Sequence, residues 1–449
     1  MSEQTPDAPG PVPHPESGGP YISLITAPEG APTKNAPFSV VAGMALAQFG
    51  LFVALLAPVT VSLAAKVSSL VPGDEAAIVN GSVQSAAAFI ALVANPLFGR
   101  LSDYTTSKWG RRRPWMAAGS VGFVVSLAII GLAPSIPFVF VGWALAQLFG
   151  NMILAPLLTT IADQIPENQR ATVSGNVGIM QNLGIMVAAY VALWFIGNMF
   201  LMFVVPAVFA AVCVLIYCFL LPDKVITEKP QEGGGLKTFL MTFWVDPIKH
   251  PDFAWVWLSR FLVTQSMFLF IVFRFFFLEH QVGLKDSAEI GGAVATGVLI
   301  NTVVLVIFAK IGGWLSDKTA NRKGFVIAST VVFGIGIGLL SITHDVPMFY
   351  MVEAIMGLGY GIYVAVDTAL VVDVLPNPAD AAKDLGVLNI ANALPQSLAG
   401  GVGAFLLSIG GGLTNYPALF IGSFVFAILG ALTIIPVRSV AQRHAAGHN

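Results

Sequence analysis

Apolar stretches dominate the chain. Charge is almost absent from Phe38–Ala65, Trp115–Ala162, Ala171–Leu221, Phe325–Thr343 and Leu385–Pro436. A helix crosses a bilayer with about 20 apolar residues, so each window holds one or two spans. Pro, Gly and charged residues punctuate the pattern into twelve segments, near 39–66, 77–100, 115–134, 137–165, 171–197, 198–221, 253–280, 288–311, 325–343, 346–375, 384–410 and 416–437. The least marked boundary lies between the fifth and sixth, where only Gly197 and Asn198 break the run. The pattern predicts an all-α membrane protein with twelve transmembrane helices.

Two polar breaks recur. Leu101-Ser102-Asp103 returns as Leu315-Ser316-Asp317, and Asp163-Gln164-Ile165-Pro166 returns as Asp373-Val374-Leu375-Pro376. The offsets are 214 and 210 residues. Each motif sits at the same end of the second or fourth span of its half. A parallel repeat of two six-helix bundles follows, at 38–221 and 253–437. A linker at 222–252 carries Gly233-Gly234-Gly235, and tails occupy 1–37 and 438–449. The first tail is rich in Pro and Gly and reads as disordered. No cleavable signal peptide is visible, and the run from Phe38 is too long for a signal-peptide core.

Composition strengthens the membrane reading. Of the 449 residues, 56% are apolar and 10% charged, against about 25% charged in a soluble domain. Lysine and arginine placement then orients the spans, because cytoplasmic loops collect cations. With both termini inside, 18 of the 22 cations fall on the inner face. The expected setting is a multi-pass protein of the cell membrane with cytoplasmic termini. The net charge of −2 gives no sign of a nucleic-acid partner. Cys213 and Cys218 share one apolar run and imply neither a disulfide framework nor a metal site.

The break "GRLSDYTTSKWGRRRPW" at 99–115 carries its own chemistry. The second span runs inward, which puts Asp103 at the negative end of the helix dipole, where a carboxylate needs a compensating partner, either a cation or the N-terminus of a facing helix. Arg111, Arg112 and Arg113 are the candidate cations. Gly99 lies one turn earlier, where a missing side chain permits close helix approach. With Asp317 in the echo, these residues form a candidate gate that would tie the inner face shut and secure the outward-open state. A cationic loop that only sets topology is the plainer alternative.

Gly99-x-x-x-Asp103 followed by Gly110-Arg111-Arg112-Arg113 resembles the loop motif of the major facilitator superfamily. The longer spacing is similar to that of sucrose carriers and their glycoside–cation symporter relatives, as is "AQFGLFVALLAPVTVSL" at 47–63. Two departures stand out. Tyr104 follows Asp103 where the superfamily loop places Arg, and Leu158 stands where sucrose carriers place an arginine before an Ala-Asp pair, here Ala162-Asp163. The resemblance implies a secondary carrier working by alternating access.

Ionisable groups inside spans are functional candidates because each is costly unless paired or wetted. Helix seven carries Arg260 and Arg274, and helix ten carries Glu353 and Asp367. Their depths match in two pairs, Arg274 with Glu353 and Arg260 with Asp367. The first pair is expected to face a solvated cavity. The second serves either as a fixed tie or in coupling, with Arg260 also able to snorkel. Asp367 is the leading proton carrier and Glu353 the runner-up. His280 lies at the outer end of helix seven beside Glu279.

Gln48, Asn151, Gln181, Asn182, Asn301 and Asn392 fall near the midplane, where carrier sites are expected. Amides both donate and accept hydrogen bonds, which suits hydroxyl-rich ligands, although a single amide more often ties two helices together. Arg274 and Glu353 complete the candidate solute set. Trp143, Trp194, Tyr190, Tyr360 and Tyr363 could add flat faces. "GGGLKT" at 233–238 lacks the spacing of a phosphate-binding loop, and no catalytic or metal-ligating constellation appears. The expectation is no enzyme and no cofactor. It is instead a monomeric proton-coupled carrier of a small polar solute, sugar, glycoside or polyol-like, with an exporter of drugs or amphipathic metabolites as the alternative.

Overall fold

The computed structural model describes residues 35–71, 73–225, 245–319, 321–375 and 381–438. Most of both tails, the central linker with Gly233–Gly235, and Pro376 of the second repeated motif lie outside the described residues. Among the described residues, eleven helices are long and apolar enough to cross a membrane, and a twelfth is shorter. They are α1 (Phe38–Leu70), α2 (Glu75–Asp103), α3 (Arg113–Leu132), α4 (Ile136–Gln164), α5 (Glu167–Trp194) and α6 (Met199–Leu220). The second half contains α7 (Pro251–His280), α8 (Ser287–Thr319), α9 (Arg322–Leu339), α10 (Val346–Asp373), α11 (Ala381–Leu407) and α12 (Tyr416–Leu432).

Local chemistry explains most boundaries. Asn198 caps α6 by accepting from the Leu201 amide at 3.1 Å, which turns the weak break after α5 into a sharp one. Asn321 and Asn415 cap α9 and α12 in the same way, at 3.1 and 3.0 Å. The eighth segment was expected to end near 311, but α8 continues to Thr319 and takes Asp317 into its last turn. Conversely, α12 stops at Leu432, short of the expected 437, in a run of turns. Within α1, Pro58–Ser62 form a π-helical turn. Proline withholds an amide from the ladder, so the helix widens there without breaking.

The packing repeats with a period of six helices. In the front half α1 packs on α5 and α6, α2 on α4, and α3 on α4 and α6. In the back half α7 packs on α11 and α12, α8 on α10, and α9 on α10 and α12. Every pairing recurs at the corresponding place, as a tandem repeat requires. The halves meet through α2 against α11 and α5 against α8, and these two seams also exchange under the repeat.

The seam is tightest at the face opposite the termini, here the far face. Gly81 and Gly400 approach so closely that a Cβ on Gly400 would collide with the Gly81 carbonyl. The Gly400 amide donates to Ser85 Oγ at 2.8 Å, and Asn80 Nδ2 donates to the Val272 carbonyl at 3.2 Å. Gly291 at the start of α8 packs near Leu193 and Ile196 at the end of α5. At the tail face, Gly99 of α2 and Gly175 of α5 have only open space where a Cβ would point. The chain is therefore joined at the far face.

Candidate functional site

A cavity of about 380 Å³ lies between the halves, walled by α1, α2, α4 and α11. Its polar lining is Asn95, Gln147, Asn151, Asn389 and Gln396. Leu55, Leu56, Val59, Leu92, Leu154 and Ile390 supply much of the rest. Among the described residues, no charged side chain belongs to the lining. Asn95 and Asn151 are linked, Nδ2 of the former donating to Oδ1 of the latter at 3.0 Å. Asn151 in turn donates to the Gln147 carbonyl one turn back at 2.9 Å. The π turn of α1 begins at the cavity wall, beside Val59.

Of the six midplane amides expected from the sequence, only Asn151 lines this cavity. Gln48 is buried and faces Gln181 at 3.4 Å, tying α1 to α5. Asn182 bonds back to the Gly178 carbonyl of its own helix, and Asn301 donates to the Glu353 backbone at 3.1 Å. Asn392 is exposed. The expected aromatic faces are elsewhere as well: Trp143 is fully buried, Trp194 is exposed, and Tyr360 and Tyr363 pack together in the back half. The sequence reading passed over Asn95, Gln147, Asn389 and Gln396. Gln147 had a signal, since it precedes Asn151 by one helical turn on the same face.

Both acid–base pairs matched by depth are in contact. Arg260 Nε donates to Asp367 Oδ2 at 2.8 Å, and its Nη2 reaches the same oxygen. Asp367 Oδ1 is buried with no hydrogen-bond partner. Arg274 Nη1 lies 3.2 Å from Glu353 Oε1, with the Phe270 ring under the guanidinium at 5.3 Å. The expectation that the Arg274–Glu353 pair faces a solvated cavity is not met. Its side chains are 5% and 1% exposed, and α7 has the largest buried share of any spanning window, 72%. It joins α7 to α10 inside one half.

At the tail face the arginines form a cluster. Arg112 is almost fully buried and pairs with Asp103 at 2.6 Å and Asp163 at 2.9 Å. Arg111 joins Asp163 as well. Arg113 does not reach Asp103; its guanidinium donates to the Leu221 carbonyl. Asp223, just beyond α6, accepts from the Arg112 and Arg113 amides at 2.7 and 2.9 Å. These ion pairs bind α2, the α2–α3 loop and α4 within the front half. They are made while the halves are joined at the far face, so they are not a bolt drawn across the tail face. Gly99 mediates no close approach. In the echo, Asp317 is 71% exposed and 3.8 Å from Arg322, a looser arrangement. Asp163 and Asp223 complete the cluster; the first was visible only as a repeat landmark, and the second had no sequence signal.

Comparison with known proteins agrees with this architecture. The family model described as Major Facilitator Superfamily matches residues 38–319 and 291–448. The sucrose transport protein SUC4 of Arabidopsis thaliana is 24% identical over 398 residues, covering 73% of this chain and 77% of that one. Multidrug resistance protein 3 of Bacillus subtilis is 24% identical over 331 residues, 62% of each chain. The crystal structure of the nucleoside transporter NupG superposes with a TM-score of 0.68 at 15% identity, covering 89% of this chain and 98% of that one. A repeated six-helix half, a cavity on the seam and a family match over both halves make one conclusion: the chain belongs to the Major Facilitator Superfamily of membrane transporters.

Proposed function

We propose that the protein is a secondary active carrier that moves a small, uncharged, polar organic solute by alternating access, with protons as the coupling ion in symport. Sugars, glycosides and polyol-like molecules are the class. Membership of the superfamily makes it a transporter rather than an enzyme. The observation that carries the solute class is the cavity lining: five amide side chains, an apolar wall and no charge. Amides offer donors and acceptors together, as a hydroxyl-rich ligand requires. A charged solute would be left without a counter-charge at a cost of several kcal/mol or more. Asp367 is the proton-carrying group in this reading, because its Oδ1 is free while Oδ2 holds Arg260. The protein acts as a monomer in the cell membrane with both termini in the cytoplasm.

The test is counterflow in proteoliposomes against a panel of sugars, glycosides and polyols, with and without a pH gradient. Exchange of a neutral member without a gradient, and its accumulation with one, is expected. Asp367→Asn should keep exchange and lose accumulation. A panel in which only cations, anions or zwitterions exchange sinks the solute class; equal accumulation in Asp367→Asn sinks the proton role. A second reading rests on the same wall. The leucine and isoleucine surface of the cavity also suits an amphipathic molecule, and proton-driven efflux of such a compound without sugar exchange would establish it.

A further inference from the structure

The far-face seam contains a group that neither the cavity nor the Asp367 pair uses. His280 ends α7 and is 20% exposed, and its Nε2 lies 3.4 Å from Asp74 Oδ1 in the α1–α2 turn. This contact runs from the back half to the front half. It stands beside the other far-face links, Asn80 to the Val272 carbonyl and Gly400 to Ser85.

The hydrogen bonds bear on where the ring carries its hydrogens. His280 Nδ1 is 2.9 Å from the Phe276 carbonyl. A carbonyl oxygen only accepts, so Nδ1 carries a hydrogen. In the neutral ring Nε2 would then present a lone pair to a carboxylate oxygen, and the contact would be unfavourable. In the imidazolium both nitrogens donate, and the same geometry becomes a charge-assisted bridge. The charged and titratable groups facing the ring are Asp74 from the α1–α2 turn, Glu279 from α7 itself with Oε2 at 3.9 Å from Nδ1, and Tyr416 of α12 with ring centroids 5.9 Å apart. Of these, only Asp74 belongs to the other half.

We infer that His280 is a proton-operated clasp on the far face: its imidazolium holds the front and back halves together through Asp74, and the neutral ring releases them. The sign follows from the bridge. Protonation of the ring favours the conformation closed at the far face, and loss of that proton favours its opening. This extends the alternating-access reading and is independent of the solute and of Asp367, which lies within one half. Because Asp74 is 58% exposed, the bridge is screened and its effect on the open-to-closed ratio is modest, roughly two- to fivefold.

The test uses the full-length protein in lipid nanodiscs with spin labels at Pro134→Cys and His344→Cys. Both positions are exposed, in far-face turns of opposite halves, and the native Cys213 and Cys218 are buried. Pulsed distance measurements at about pH 5.5 and pH 8 bracket the range in which histidine changes charge. The parent should show the short-distance population favoured at the acidic pH by the stated factor. His280→Gln donates to Asp74 at either pH, so its ratio should be flat. Asp74→Asn can bond the neutral ring, so its acid preference should vanish. A flat parent ratio, or an acid response that survives in either bridging variant, overturns the clasp.

Discussion

Replacing Gly110 by alanine should unfasten the α2–α3 loop from the end of α6. Gly110 has φ +97°, a region in which an L side chain costs about 1–2 kcal/mol. A Cβ there would also collide with the Asp223 carboxylate. That carboxylate accepts from the Arg112 and Arg113 amides, bonds of the charged class, worth about 1.5–3 kcal/mol each when enclosed. Asp223 is only half-buried, so these bonds are discounted. Since the loop relaxes along whichever path is cheaper, strain and bond loss do not add in full, and about 2–3 kcal/mol of local stability should disappear. At about 1.4 kcal/mol per decade, hydrogen exchange at the Arg111–Arg113 amides should speed up about 30- to 150-fold. Exchange mass spectrometry on the protein in nanodiscs reads this directly. Gly110→Asn separates the two causes, because asparagine tolerates positive φ but carries the same Cβ. If collision with Asp223 dominates, Asn and Ala should look alike. Unchanged protection of these amides in Gly110→Ala would refute the argument.

Three other outcomes follow from the geometry. Asn151→Leu removes a cavity amide and orphans Asn95; solute affinity by counterflow should fall about tenfold, the scale of one lost polar contact, with normal membrane insertion. Glu353→Gln leaves Arg274 enclosed without its anion and should cost about 3–5 kcal/mol, whereas the double change Arg274→Leu with Glu353→Leu should come close to the parent in thermal unfolding. Asp103→Asn weakens Arg112 only at its more exposed partner, since Asp163 remains; the midpoint of thermal unfolding should report a loss of less than about 1 kcal/mol.

The frame was legible because two strong patterns determine it. Bilayer thickness sets the length of each apolar run, and the tandem motifs set the repeat, so twelve helices in two matching halves followed from spacing. The pairing of Arg260 with Asp367 and Arg274 with Glu353 was legible for a similar reason: helical rise converts residue number into depth. What sequence could not supply was rotation about each helix axis. Gln48 and Asn301 sit at cavity depth but bond to other helices, and Asn182 bonds back to its own, whereas Asn95 and Gln396 point into the space between the halves. Depth is a one-dimensional coordinate, and an amide gives no periodic signal in a helix that is apolar all round. The Asp223 link was illegible for another reason. It joins an unmarked loop residue to backbone amides more than a hundred positions earlier, and no local pattern encodes such a contact.

The repeat also shows how identical frames came to hold different interiors. Gln48 lies ten residues into α1, and Arg260 lies nine residues into α7, the equivalent helix of the other half. The amide meets Gln181 on α5, the next helix but three, whereas the arginine meets Asp367 on α10. Helix packing tolerates either, because the backbone contacts that define the halves do not depend on these side chains. A buried charge pair, however, holds its partners far more strictly than two amides do, since parting it strands a charge in a dry interior. The back half is therefore the more rigid at its centre, with α7 locked to α10 at two depths. The cavity is walled largely by α1, α2 and α4 of the front half, with α11 alone from the back. Three of the five cavity amides, Asn95, Gln147 and Asn151, belong to the front half and two, Asn389 and Gln396, to the back, whereas the two ion pairs between α7 and α10 lie in the back half. A proton that reaches Asp367 would act by loosening the back half, and it would reach the cavity through α11, which packs on α7 and carries Asn389 and Gln396.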